Sequence, residues 1–282
     1  MLNEKKIIWL ASYPKSGNTW FRSFITALRT NGEVDLNDME TDGIFSAKDT
    51  MEAVLDLDAD YLSAQLIEKY QRIAYMHRGR EAAHELFIKV HDAFLLSTND
   101  GLPMLPESPT KAALYFVRNP LDVTLSFANH AGIEVDQVIK KYINNPDGRL
   151  VTKRSSANPQ FIQPMGTWSM HVESWVKSPT FPVHFIRYED MKANPFETFK
   201  KALDAIGQHY TDEQIHRALE ETRFEKLKQK EEQSGFREKL RPESAFFFKG
   251  EVGRWKEELT NEQVEQIKEV NKPMMCHFNY IN

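Results

Sequence analysis

Apolar residues follow two habits along this chain: short unbroken runs, and runs spaced by three or four positions. Ile7–Ser12 is of the first kind, as are Leu86–Val90, 112–117 and Val183–Arg187. Each is too brief for a helix and gives way to polar residues, the pattern of a parallel strand buried on both faces. Between these runs, Trp20, Phe21, Phe24, Ile25 and Leu28 recur with helical period. A second helical pattern begins at Asp60 with Leu62, Leu66 and Ile67, and a third runs from Leu121 through Leu125 to Ala128. Asn194-Pro195 reads as a cap and first-turn proline before Phe196, Phe199, Leu203 and Ile206, with Gly207 as the stop. Thr211 with Gln214 and Thr260 with Gln263 have capping-box spacing and start two more helices. Strands alternating with helices predict an α/β fold, a single domain over residues 1–282 with a central parallel sheet flanked by helices.

Composition agrees with one ordinary globular domain: 282 residues, 41% hydrophobic and 27% charged. No run approaches the roughly 18 apolar residues of a membrane span, and the charged start leads straight into the first strand, so a cytoplasmic protein without membrane attachment is expected. Cys276 is the only cysteine, which excludes an intramolecular disulfide and a thiolate metal cluster. A net charge of −5 argues against general nucleic-acid binding, so any anion site must be local. Acidity is uneven: carboxylates crowd residues 33–60, where Lys48 is the only basic residue. That stretch reads either as a solvated face or as a rim favouring a cationic acceptor. Residues 31–58, 144–164 and 228–243 read as loops, expected to be mobile, and the last two are candidates for lids.

The chemistry begins at the end of the first strand. Tyr13-Pro14-Lys15-Ser16-Gly17-Asn18-Thr19-Trp20 joins that strand to a helix N-terminus, where backbone N–H groups face an anion. Lys15 stands before Gly17, unlike the nucleotide triphosphate loop, in which Lys-Ser/Thr follows the second glycine. The other strands are predicted to end in matching chemistry, because ligands of open α/β sheets sit beyond the C-terminal strand ends. Lys89-Val90-His91 offers a cation and a proton acceptor on one face of an extended chain. Val117-Arg118-Asn119-Pro120 is followed by Ser126, and Lys249-Gly250-Glu251-Val252-Gly253-Arg254 forms another basic, glycine-bearing loop.

With these segments in order, the chain resembles the soluble PAPS-dependent sulfotransferases over nearly its full length, PAPS being 3′-phosphoadenosine 5′-phosphosulfate. Residues 13–20 look like the family's P-loop-like phosphosulfate-binding loop, and 115–127 like its 3′-phosphate motif. Lys89-Val90-His91 is similar to the family's Lys-x-His, and 249–256 to its Gly-x-x-Gly-x-x-Lys loop. Residues 166–168, 187–191 and 222–224 add further likenesses.

The resemblance implies transfer of a sulfuryl group from PAPS to a hydroxyl, or less readily an amine, of a small-molecule acceptor, releasing adenosine 3′,5′-bisphosphate (PAP) without a metal. His91 would be the general base, Lys15 and Lys89 the cations at the reacting group, and Ser126 a further catalytic-site contact. Lys15, Ser16, Gly17, Asn18, Thr19 and Trp20 would hold the 5′ side of the donor. Arg118, Ser126, Lys249 and Gly250 would hold the 3′-phosphate. Trp20 and Phe224 would sandwich adenine, with Tyr188 and Thr222 at its edge. Two positions depart from the family pattern. Phe248 stands where an arginine is common, which removes one cationic contact. Asn261 replaces the central valine of the family's dimer motif, at the run Lys256, Thr260, Asn261 and Glu265, so monomer and homodimer stay open. Two rival readings are a P-loop nucleotide kinase, which would carry Gly-Lys-Ser/Thr and a magnesium carboxylate, and a non-catalytic nucleotide-binding module, which would need no base.

Overall fold

A computed structural model describes residues 5–152, 159–177, 179–241 and 244–281. The strands are β1 (Ile7–Ser12), β2 (Leu86–Val90), β3 (Thr110–Val117), β4 (Arg149–Leu150), β5 (Gln163–Pro164) and β6 (Val183–Arg187). The first helices are α1 (Asn18–Arg29), α2 (Lys48–Leu55), α3 (Ala64–Glu81), α4 (Pro120–Ala131), α5 (Val135–Val138) and α6 (Trp168–Lys177). There follow α7 (Tyr188–Ala193), α8 (Pro195–Ala205), α9 (Asp212–Glu221), α10 (Phe224–Ser234), α11 (Trp255–Glu258) and α12 (Asn261–His277).

All neighbours in the main sheet are parallel, in the order β2-β1-β3-β6. Alternate residues of β1 serve opposite layers. Ile7, Trp9 and Ala11 join Tyr115 and Val117 of β3 against Leu121 of α4, Trp168 and Trp175 of α6, and Ile267 of α12. Ile8 and Leu10 join Leu114 and Phe116 against Phe21 and Phe24 of α1, Phe199 of α8 and Ile215 of α9. Because both faces are covered, the strands read as unbroken apolar runs.

Both capping boxes form, at Thr211 with Gln214 and at Thr260 with Gln263. Asn194 takes the predicted cap position of α8, but its side chain makes no cap bond there; Pro195 fills the first turn. Three sequence expectations change. The helix expected from Asp60 starts at Ala64, because Asp58 accepts from Asp60 N and closes a separate one-turn helix, while Ser63 caps Leu66 N of α3. The expected loop 228–243 is helical as far as Ser234, where α10 ends. The stretch 33–60 is not simply a solvated face: it contributes Val34, Leu36, Met39, Phe45 and Met51 to the buried core and includes α2. Of the predicted loops 144–164 and 228–243, residues 153–158 and 242–243 lie outside the described residues.

Candidate active site

The register places β1 and β2 side by side with Leu10 opposite Lys89 and Ala11 opposite Val90, so the loop after β1 and His91 after β2 are neighbours. β3 on the other flank delivers Arg118, and β6 delivers Tyr188. All four strand ends open on one cavity of about 620 Å³. Lys15, Gly17, Asn18, Thr19, Trp20, Lys89, His91, Arg118, Ser126, Tyr188, Thr222, Phe224, Phe248, Lys249 and Gly250 all line it. Of the residues expected from the sequence, Ser16 stands behind this wall, fully buried with its hydroxyl unpartnered.

The loop is tightly shaped. Lys15 has φ of 69° and Gly17 φ of 102°. A Cβ at Gly17 would lie 2.8 Å from the Tyr188 ring, so only glycine lets the backbone come this close. Asn18 holds the loop to its strand by donating to the Leu10 carbonyl oxygen at 2.7 Å. Arg118 crosses beneath, donating to the carbonyl oxygens of Lys15 (3.1 Å) and Glu251 (2.8 Å), with its guanidinium 4.2 Å from the Tyr188 ring centroid. The Arg118 Nε is buried without a partner, which leaves a donor for an anion.

Charge at the site is set by burial. Burial, with Arg118 and Lys89 nearby, lowers the Lys15 ammonium to about 7. The Lys15 Nζ lies 3.6 Å from the Phe246 ring centroid. Burial also lowers Lys89, whose Nζ is 2.9 Å from Glu238 Oε2. His91 is pushed down to about 3, by burial first and the Lys89 charge second, so it is neutral throughout the physiological range. Its Nδ1 lies 2.9 Å from the Ser12 carbonyl oxygen, which can only accept; Nδ1 therefore carries the proton, and Nε2 keeps its lone pair.

Trp20 and Phe224 both line the cavity, and the Lys192 Nζ lies 5.8 Å and 6.0 Å from their ring centroids. Gly250 packs so closely that a Cβ there would meet the Phe224 ring at 2.5 Å, and its carbonyl oxygen accepts from the Tyr188 hydroxyl at 3.1 Å. Asp122 secures the same loop, accepting from Gly253 N at 2.8 Å and Trp255 N at 3.2 Å. Phe248 brings no cation of its own. The Arg254 guanidinium lies 5.2 Å from its ring and is held by Glu258, Nη2 to Oε1 at 2.6 Å, while the residue lines the cavity.

Sequence reasoning missed Arg22, His130, Lys192 and Glu238, all of which line the cavity. Arg22 and His130 were within reach of helical periodicity, lying one turn beyond Asn18 and Ser126 on their helices. Glu238 carries no such signal.

A neutral base and buried cations meet at the C-terminal edge of a parallel sheet, beside a loop shaped by glycine for an anion. Fold and site thus define an α/β protein with a cation-lined cavity, suited to an anionic ligand, at its C-terminal strand ends. Residues 5–279 match the sulfotransferase domain model, so the chain belongs to the sulfotransferase family. It is 28% identical to flavonol 3-sulfotransferase of Flaveria bidentis, covering 92% of this chain and 78% of that protein. It is 26% identical to sulfotransferase 1E1 of Bos taurus, covering 89% and 77% respectively. The fold is similar to retinol dehydratase solved with androsterone and the inactive cofactor PAP, with TM-score 0.60, 20% identity, and coverage of 96% of this chain and 81% of that one. A mouse sulfotransferase complexed with PAP gives TM-score 0.59 at 20% identity, covering 96% and 85%. Among the described residues no helix is long and apolar enough to cross a membrane, and no group of metal-ligating side chains is found.

Proposed function

We propose that this chain transfers the sulfuryl group of PAPS to a hydroxyl group of a small-molecule acceptor, with His91 as the general base. The observation that carries this reading is the His91 tautomer: a lone pair on Nε2, in the same cavity as Lys15 and Lys89. A module that only bound nucleotides would have no use for a base there. The cradle suits the donor, because Gly17 and Gly250 hold backbone where a Cβ would collide, and Arg118 has an unpartnered donor beneath the loop.

When bound, PAPS supplies an activated sulfuryl group: an oxygen–sulfur bond to the acceptor forms, the bond to the leaving phosphate breaks, and the acceptor's proton passes to His91 Nε2. Lys15 and Lys89 are assigned to the charge on the reacting group and its leaving oxygen, where fixed cations lower the barrier most. Arg118, Ser126, Lys249 and Arg254 are assigned to the 3′-phosphate; arginine suits it through paired charge-assisted hydrogen bonds. Trp20, Phe224, Tyr188 and Thr222 are assigned to adenine. The acceptor side is assigned to the walls beyond His91, formed by Ile44, Ala47, Phe127, Tyr142 and Gln163, with the Asp49 carboxylate at the rim.

The test is a screen of phenols, sterols, aliphatic alcohols and amines with PAPS, following PAP release and product mass in excess chelator. A product heavier by one sulfuryl group, formed despite the chelator, supports the reading and separates it from a kinase. Failure to bind PAPS, with no turnover of any acceptor, would defeat it.

A further inference from the structure

Glu238 and Arg22 lie 216 residues apart in the chain yet share one ion pair inside the cavity. One carboxylate oxygen of Glu238 is 2.7 Å from Arg22 Nη1, and the other is 2.9 Å from Lys89 Nζ. The three side chains are 21%, 5% and 13% exposed in that order, so little water screens them. Burial opposes ionisation of Glu238, but Arg22 and Lys89 outweigh it and hold its carboxyl well below the usual carboxylate range. Here a small anion is already gripped by two cations, one per oxygen, beside the third cation Lys15 and the base His91.

From this arrangement we infer that Arg22 and Lys89 form a two-cation clamp for the sulfuryl oxygens, and that the Glu238 carboxylate competes with the sulfuryl group for it. The inference rests on the sulfotransferase reading above and adds to it a catalytic arginine and an internal competitor. A carboxylate and a sulfuryl group both present oxygens to N–H donors, and charge-assisted bonds at these distances suit either. They cannot share the clamp, since two anions there would repel in a poorly screened site.

Glu238 does not stand alone. Phe246, eight residues on, lies with its ring centroid 3.6 Å from the Lys15 ammonium. Glu231 of α10 accepts from the backbone N–H groups of both Phe246 and Phe247, at 2.7 Å and 2.9 Å, and pairs with Lys239 next to Glu238. Glu238 thus sits on Lys89 and Phe246 on Lys15. Release of Glu238 from the clamp is a step that PAPS requires and PAP, lacking the sulfuryl group, does not.

The experiment compares affinities for PAPS and PAP, without acceptor, in wild type, Glu238→Gln, Arg22→Gln and the double variant, together with turnover. Glu238→Gln removes the competitor, and PAPS is expected to bind about tenfold more tightly as the competent fraction rises, with PAP unchanged. Arg22→Gln is expected to lower kcat by about 10²-fold or more, the usual cost of one lost oxyanion donor. The double variant separates roles: if Arg22 merely neutralises Glu238, removing both restores turnover, whereas a clamp arginine leaves the double variant impaired. Equal tightening of PAPS and PAP by Glu238→Gln, or restored turnover in the double variant, overturns the inference. Thermal melting of each variant identifies any that fail to fold; the Glu238→Gln affinity ratio decides the matter without Arg22→Gln. Should wild type bind neither PAPS nor PAP, it is the sulfotransferase reading that fails.

Discussion

His91 Nδ1 donates to the carbonyl oxygen of Ser12 across 2.9 Å, so the last residue of β1 sets the tautomer of the residue that follows β2. The bond aims the basic nitrogen without spending a side chain on it. His91→Ala should therefore lower kcat by about 10²–10⁴-fold, the range for a lost general base. PAP affinity, measured by calorimetry, should stay within a few-fold of wild type. Turnover close to normal would remove His91 from the mechanism.

Lys15 predicts a proton uptake. Its ammonium, lowered by burial to about 7, is largely deprotonated in the free protein at pH 8. A bound anion favours the charged form, so binding raises its pKa and draws a proton from solution. Calorimetry of PAP binding at pH 8, in buffers of different ionisation enthalpy, should show net proton uptake that fades by pH 6. The sign is definite: proton release at pH 8 would contradict the assignment.

Asp122 positions the loop after Phe248 through two backbone N–H groups. Charge-assisted bonds are worth about 1.5–3 kcal/mol each, so Asp122→Ala should weaken PAP binding about tenfold or more. Adenosine 5′-monophosphate lacks the 3′-phosphate and should lose far less. Equal losses for the two nucleotides would place the loop elsewhere in the binding scheme.

Asp92 carries a cost that grows with pH. Its Oδ2 is buried without a partner, and burial pushes its carboxyl up to about 8. A carboxyl whose folded pKa is raised destabilises the fold as pH rises from the unfolded value, about 3.9, through the folded one. Asp92→Asn should therefore gain on wild type in thermal stability between pH 4 and pH 8, with a constant gap above that. A gap independent of pH would mean that Asp92 does not titrate as buried.

The strands of the sheet were legible because two covered faces leave nothing but apolar residues, and β1, β2 and β6 begin and end as their runs do. β3 starts earlier than its apolar run because Thr110 is buried and polar at once, its hydroxyl oxygen accepting from Trp9 Nε1 at 2.9 Å. α10 escaped notice because only Leu227 and Glu231 of its length are buried, which leaves a helix that reads as a charged loop. The loop at 13–20 and the motif around Arg118 were legible because each is a local pattern with a chemical reason for its spacing. Arg22 with Glu238 was not, because the pairing joins the start of the chain to its last quarter and neither end marks the other.

One small contact has a long reach. Residues 33–60 and the described parts of 144–164, which carry several of the residues proposed for the acceptor side, are tied by an antiparallel bridge between Ala47 and Gln160, with Phe161 N donating to Ser46 O at 2.8 Å. The residues assigned to the donor lie outside both excursions, at the strand ends and on the segments that carry Thr222, Phe224 and residues 248–254. In evolutionary terms the molecule is divided: new acceptors can be explored by altering the two excursions, and because they are stitched together, changes in one are expected to be inherited with changes in the other.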